Sequence, residues 1–97
     1  VTNISVKEIK QRLDRGENVN LLDVREPAER AEFNIGGRFL PLRDILAMRI
    51  VSIADWQNEE VIVYCRSGQR SAHAAMILAG LGFSDVKNLE GGMLAWG

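Results

Sequence analysis

The chain has one cysteine, one histidine and two prolines, and it is nearly neutral, with twelve lysines and arginines against thirteen aspartates and glutamates. A single cysteine cannot close an internal disulfide, which agrees with a reducing compartment and gives the expectation of a cytoplasmic protein. A formal charge of −1 supplies no overall basic field of the kind that draws nucleic acid, so any anion has to be caught by a local arrangement of groups. No apolar run approaches the roughly 20 residues that cross a bilayer, and the N-terminus lacks a basic segment followed by an apolar one. Nucleic acid and membrane are therefore not expected partners. No repeat or low-complexity stretch is visible, and Gly91-Gly92 lacks the lysine and hydroxyl residue of a phosphate-binding loop, so it is read as a turn.

What is present is 97 residues, 46% hydrophobic and 26% charged, the size and balance of one globular domain over 1–97. The chain starts at Val1 rather than Met, which is compatible with a domain cut from something longer. Ser5 is placed to cap a helix, with Glu8 completing a capping box and Ile4 and Ile9 spaced as a hydrophobic staple; Val6, Ile9 and Leu13 share a face until Gly16. Val19 to Val24 reads as a buried strand carrying Asp23 and Arg25 at its end. Pro27 opens a short helix to about Phe33, and Arg38 to Leu40 forms a shorter strand. Leu42 to Ile53 has the spacing of a helix. Val61 to Tyr64, β-branched and aromatic without alternation, predicts a central strand buried on both faces. A helix from about Ser71 to Leu81 ends at Gly82, with Phe83 set for a C-cap contact, and Val86 to Leu89 is a last strand. Trp56, Trp96 and the methionines are assigned to the core. Strands alternating with helices predict an α/β sandwich on a mainly parallel sheet.

The segment Cys65-Arg66-Ser67-Gly68-Gln69-Arg70-Ser71 joins the central strand to a helix, and in open α/β sheets ligands bind at the carboxyl ends of strands. A short loop with Gly68 at its centre can curl until its backbone N–H groups converge on one point at a helix N-terminus. Such donors, with Arg66 and Arg70 nearby, favour the thiolate of Cys65, the form that attacks. A lone cysteine is more often a small buried apolar side chain. A strand-to-helix turn flanked by two arginines is the setting that points instead to chemistry. Ser71 is read as the cap of the following helix. The lone His73, on that helix, is read as exposed or groove-facing and not as a base for the cysteine.

This loop resembles the active-site loop of the rhodanese family of sulfurtransferases. The resemblance extends along the chain: Asp23-Val24-Arg25-Glu26-Pro27 is similar to the family's Asp-x-Arg-x-Pro, Leu40-Pro41-Leu42 to its Ile-Pro-Leu, and Gly82-Phe83, Val86 to Leu89 and Gly91-Gly92 to Trp96 to its ending. Phe33-Asn34-Ile35-Gly36-Gly37-Arg38 departs from the frequent Gly-His-Ile-x-Gly-Ala, with Asn34 in place of histidine and Arg38 in place of a small residue. The family implies a three-layer sandwich, a small, mainly parallel five-stranded sheet with helices on both faces.

The resemblance also implies a two-step transfer. Cys65 takes the outer sulfur of thiosulfate or a persulfide donor, becomes a persulfide, and passes that sulfur to cyanide or a thiol. It gives Arg66 the dianionic donor, and gives Ser67, Gly68, Gln69 and Ser71 the loop that stabilises the anionic sulfur through backbone N–H groups. Arg70 has two readings, facing the donor or turning inward to Asp23. Asp23 and Arg25 have a supporting role, with a plain surface ion pair as the alternative. No metal, nucleotide or other cofactor is required, and a protein persulfide donor or acceptor is a further expected partner. Two other readings are a cysteine phosphatase or arsenate reductase and a non-catalytic binding or relay module of a larger protein. Against the phosphatase, Cys65 and Arg70 enclose four residues, one fewer than the phosphatase loop.

Overall fold

A three-residue strand precedes the first helix. In the computed structural model, which describes residues 1–97, Thr2–Ile4 form β1, and Ser5 caps α1, Val6–Asp14. The Ser5 hydroxyl accepts the Glu8 N–H at 3.1 Å, but the Glu8 carboxylate turns along the helix to Arg12 at 2.7 Å, so the expected capping box closes on one side only. Ile4 and Ile9 bury in the same cluster, as a staple should.

Alternation then continues through β2 (Leu21–Asp23), α2 (Pro27–Glu32), β3 (Arg38–Phe39), α3 (Leu42–Leu46), a 3-10 segment (Val51–Trp56), β4 (Glu60–Tyr64), α4 (Gln69–Gly80), β5 (Asp85–Leu89) and α5 (Gly92–Trp96). The five strands lie in the order β1-β5-β4-β2-β3, every neighbouring pair parallel. β4 is central, and its residues divide by parity. Val61, Val63 and Cys65 pack with Ala74, Ala75 and Leu78 of α4 and Ile45 of α3, while Ile62 and Tyr64 pack with Ile9 of α1 and the flanking Met93 and Trp96 of α5. Helices thus cover both faces, which is why β4 carries no polar alternation.

The helix expected over Leu42 to Ile53 is two pieces. Met48 adopts φ +61°, its N–H reaches the Ile45 carbonyl at 3.0 Å, and the Arg49 N–H reaches the Asp44 carbonyl at 2.8 Å. That pair of bonds is a Schellman end, the same device that closes α1 at Gly16 and α4 at Gly82, here built on a residue that seldom takes a left-handed conformation. Leu46, Met48 and Val51 consequently face outward. Met76 is exposed as well and Met93 half-buried, so of the residues assigned to the core Trp56 is buried, Trp96 packs at the edge of a cluster, and the methionines do not fill the interior.

The stretch that departs from the rhodanese pattern is locally satisfied. Asn34 accepts the Gly36 N–H at 2.8 Å and donates to the Arg30 carbonyl at 3.1 Å. Gly37 passes so close to β2 that a Cβ there would sit 2.2 Å from the Leu21 carbonyl oxygen. Arg38 lies 4.0 Å from the centroid of the Trp56 ring and grips Asp55 with both terminal nitrogens.

Connections leave the carboxyl end of β2 toward β3 and the carboxyl end of β4 toward β5, in opposite directions. A crevice belongs where the order reverses. Asp23 lies beside Tyr64 in the ladder, and the Val24 N–H continues it to the Tyr64 carbonyl at 3.1 Å, so Arg25 and Cys65 emerge side by side.

Candidate active site

Cys65 follows directly from β4 and has no exposed surface. Its Sγ accepts the N–H of Gly68 at 3.1 Å and of Ser71 at 3.3 Å, and the Ser71 hydroxyl lies 3.3 Å away. The curl that aims these donors depends on Gly68, whose φ is +97° and whose Cβ position would lie 3.3 Å from the Gly91 nitrogen. Two separate requirements, a left-handed turn and room for a second backbone, therefore select glycine there.

The carbonyls of the loop are held in the opposite direction. Met93 N–H donates to the Cys65 carbonyl and Leu94 N–H to the Arg66 carbonyl, each at 3.0 Å, so the first turn of α5 ties down the back of the loop. Gly92 makes that approach possible: a Cβ would lie 2.3 Å from the Cys65 carbonyl oxygen and 2.7 Å from that of Arg66. Gly91-Gly92, read from sequence as a turn, is thus also the floor on which the cysteine loop rests.

Burial pushes the Cys65 thiol up. The N–H groups of Ser71, Gly68 and Ser67 oppose that, and when the Ser71 hydroxyl also donates, as the largest of these contributions, the thiol lies below its ordinary value. The amino end of α4 adds a partial positive charge behind the same donors. The arrangement suits an anionic sulfur, whether a thiolate or a sulfur carried on it.

Ser71 does not cap α4. The helix begins two residues earlier, at Gln69, with Gly68 as the cap residue, and the Ser71 side chain is buried between Cys65 Sγ and Asn88. Arg70 does not reach Asp23. It forms a two-pronged bond to Glu29 of α2, at 2.6 and 2.9 Å. Asp23 and Arg25 do pair, but as a buried pair and not a surface one: Arg25 Nε and Nη2 each donate at 2.9 Å, Arg25 Nη2 also reaches the Phe33 carbonyl at 2.6 Å, and Arg30 stands 3.4 Å from Asp23. Through the Phe33 carbonyl the pair fastens the carboxyl end of α2 to the end of the sheet. Ser67 and Gln69 are exposed, as is His73 on the outer face of α4.

Arg66 is exposed and its guanidinium has no partner in the chain, whereas Arg25 and Arg70 are both committed. It lines a cleft of about 290 Å³ with Arg25, Glu29, Glu32, Phe33, Met93 and Leu94. The loop therefore presents one free cation beside an apolar rim.

Two residues of this site were not singled out from sequence. Asn88, on β5, has the parity of the inward-facing Val86, and an amide at that position is the available signal. Glu29 carried no signal, because its partnership with Arg70 spans 41 positions.

Residues 5–97 match the family described as Rhodanese-like domain. The chain is 36% identical to a sulfurtransferase of Allochromatium vinosum over 96 residues, covering 99% of this chain and 88% of that protein. It is 33% identical over 93 residues to MoeZ of Mycobacterium tuberculosis, described as a probable adenylyltransferase/sulfurtransferase, covering 96% of this chain and 24% of that one. A crystal structure of a rhodanese-like domain protein from Staphylococcus aureus superposes with a TM-score of 0.86 at 31% identity, covering all of this chain and 92% of that one.

Proposed function

We propose that this chain, which belongs to the rhodanese-like domain family of sulfurtransferases, moves a sulfane sulfur through a persulfide on Cys65. The observation that carries the reading is the convergence of the Gly68 and Ser71 N–H groups on Cys65 Sγ. The thiol first gives its proton to solvent. The thiolate then attacks the outer sulfur of thiosulfate, forming a new S–S bond as the old one breaks, and sulfite leaves with the bonding pair. The persulfide's terminal sulfur carries the negative charge, and the loop donors that held the thiolate hold it in turn. Cyanide or a thiolate then attacks that terminal sulfur, and the Cys65 thiolate is released as leaving group. Arg66, uncommitted at the mouth of the loop, meets the dianionic donor. The reaction belongs in a reducing compartment, the cytoplasm, where a lone thiol stays free.

Intact-mass spectrometry after incubation with thiosulfate tests the first half-reaction, and thiocyanate released on adding cyanide tests the second. A gain of one sulfur atom, discharged as thiocyanate, is expected. Absence of both with thiosulfate and with a protein-bound persulfide donor would overturn the reading.

A relay role within a larger protein is the second reading, supported by the match to about a quarter of a longer relative, 24% of its length. In that case a protein persulfide loads Cys65 and thiosulfate does not.

A further inference from the structure

The Ser71 hydroxyl has one proton and two neighbours that can take it. Cys65 Sγ lies 3.3 Å from its oxygen, and Asn88 Oδ1 lies 2.5 Å from it on the other side. Which neighbour wins follows from the far end of the amide. Asn88 Nδ2 stands 3.2 Å from the Gly68 carbonyl, which can only accept, and 3.2 Å from Asn3 Oδ1. Turning the amide over would set oxygen against oxygen at Gly68, so Nδ2 faces Gly68 and Oδ1 faces Ser71. Oδ1 also can only accept, and its one donor is the Ser71 hydroxyl. Asn88 and Ser71 are both buried, so a polar partner for Oδ1 has to come from inside the site.

We propose that Asn88 is a positioning residue for the nucleophile: by taking the Ser71 hydroxyl proton it turns an oxygen lone pair, not a donor, toward Cys65 Sγ. In the resting protein the bonds then run in one direction, from the Cys65 S–H to Ser71 Oγ and from the Ser71 O–H to Asn88 Oδ1. Ionisation of Cys65 breaks this sequence. Either the hydroxyl swings to the sulfur and leaves a buried carbonyl without a donor, or it stays and sets its lone pair against a thiolate. Both outcomes oppose ionisation, while the backbone N–H groups of Gly68 and Ser71 favour it. Asn88 thus restrains the charge that the loop would otherwise stabilise in full, and β5 sets how much thiolate the resting site holds.

No neighbouring charge substitutes for this control. Arg70 of α4 acts on Cys65 but is matched by Glu29 of α2. Asp23 and Arg25 at the end of β2 match each other, Arg66 and His73 point outward, and Glu90 after β5 is exposed. α5 carries no charged side chain.

The inference rests on Cys65 as the reacting group, but its test reads ionisation and not sulfur transfer, so the two readings fail separately. Thiolate absorbance of the whole chain is titrated in a two-by-two set: native, Ser71→Ala, Asn88→Leu and both. The chain has one cysteine, and burial pushes its single tyrosine, Tyr64, up to about 12, which keeps the signal clean. Asn88→Leu should free the Ser71 proton for the sulfur and raise the thiolate fraction at a fixed pH below the midpoint about tenfold. Ser71→Ala should not raise the midpoint when Asn88 is present, and should raise it when Asn88 is Leu. A higher midpoint in Ser71→Ala alone, or an Asn88→Leu effect that persists without Ser71, would overturn the proposal. If Asn88→Leu does not fold, the direction of the Ser71→Ala shift decides. In the native protein, the Asn88 side-chain amide resonances should also move with the Cys65 midpoint, and resonances that stay fixed count against it.

Discussion

Arg70 Nη1 meets Glu29 Oε1 at 2.6 Å and Nη2 meets Oε2 at 2.9 Å, so the second residue of α4 is fastened to α2 across the mouth of the cysteine loop. The side-chain bonds from Arg70 hold the Glu29 carboxyl down at about 2. A carboxyl whose value is lower in the folded protein adds stability above its ordinary 4.5, and that stability is lost as pH falls through about 2. The difference in melting temperature between native protein and Glu29→Gln should therefore be constant above pH 4.5 and shrink toward pH 2. Both side chains are about a third exposed, 35% and 30%, so the difference at neutral pH should stay below ~1 kcal/mol. A difference that grows on acidification would mean the pair does not form.

Replacement of Cys65 by Ser should reduce sulfur transfer by at least ~10³-fold, because the hydroxyl is a far weaker nucleophile. The melting temperature should change little, since Ser fits the same space and accepts the same N–H bonds. Thiocyanate release and a thermal melt check the two halves, and turnover at the native rate would remove Cys65 from the mechanism.

Arg66→Ala removes the one uncommitted cation of the cleft. The KM for thiosulfate should rise about tenfold with kcat nearly constant, as expected for lost binding to a charged donor. A fall in kcat at constant KM would place Arg66 on the transferring sulfur instead.

Gly92→Ala should be much more damaging than Gly16→Ala. Both positions have positive φ, +53° and +76°, but only at Gly92 would a Cβ strike backbone, 2.3 Å from the Cys65 carbonyl oxygen, while nothing lies within 4 Å at Gly16. Urea denaturation should give about 1 kcal/mol lost for Gly16→Ala. At Gly92 the loss should exceed ~2 kcal/mol and be accompanied by loss of sulfur transfer, because the clash displaces the loop itself.

Arg25→Ala strands the buried Asp23 carboxylate with the backbone N–H of position 25, 3.0 Å from Oδ1, and with the more distant Arg30 guanidinium, 3.4 Å away, as its one remaining cation. Removing one member of a buried pair should reduce stability by about 3–5 kcal/mol in urea denaturation. A loss under 1 kcal/mol would mean that water reaches Asp23 when Arg25 is gone.

Much of this site was legible in one dimension. The run Val61 to Tyr64 without alternation announced a strand covered on both sides, and glycine inside a strand-to-helix turn placed a donor loop at its end. Gly82 and Phe83 closed α4 as their order implies, because a glycine stop acts on its own few residues. Met48 gave no such warning, since a methionine at φ +61° looks the same in sequence as one in a helix.

The sequence by itself determined the order of strands and helices, the position of the cysteine at the end of the central strand and the supply of backbone donors around it. These depend on residue type and on neighbours a few positions away, where propensity, periodicity and turn chemistry act. Only the tertiary structure decided that Arg70 belongs to Glu29, that Gly92 lets α5 hold the loop from behind, and that Ser71 meets Asn88 and does not cap its helix. Each of these pairs residues from different elements, and partner choice among several arginines, carboxylates and amides of the same kind is fixed by which strands lie side by side. The parallel order β1-β5-β4-β2-β3 sets β5 beside β4, which brings Asn88 to the loop that follows Cys65.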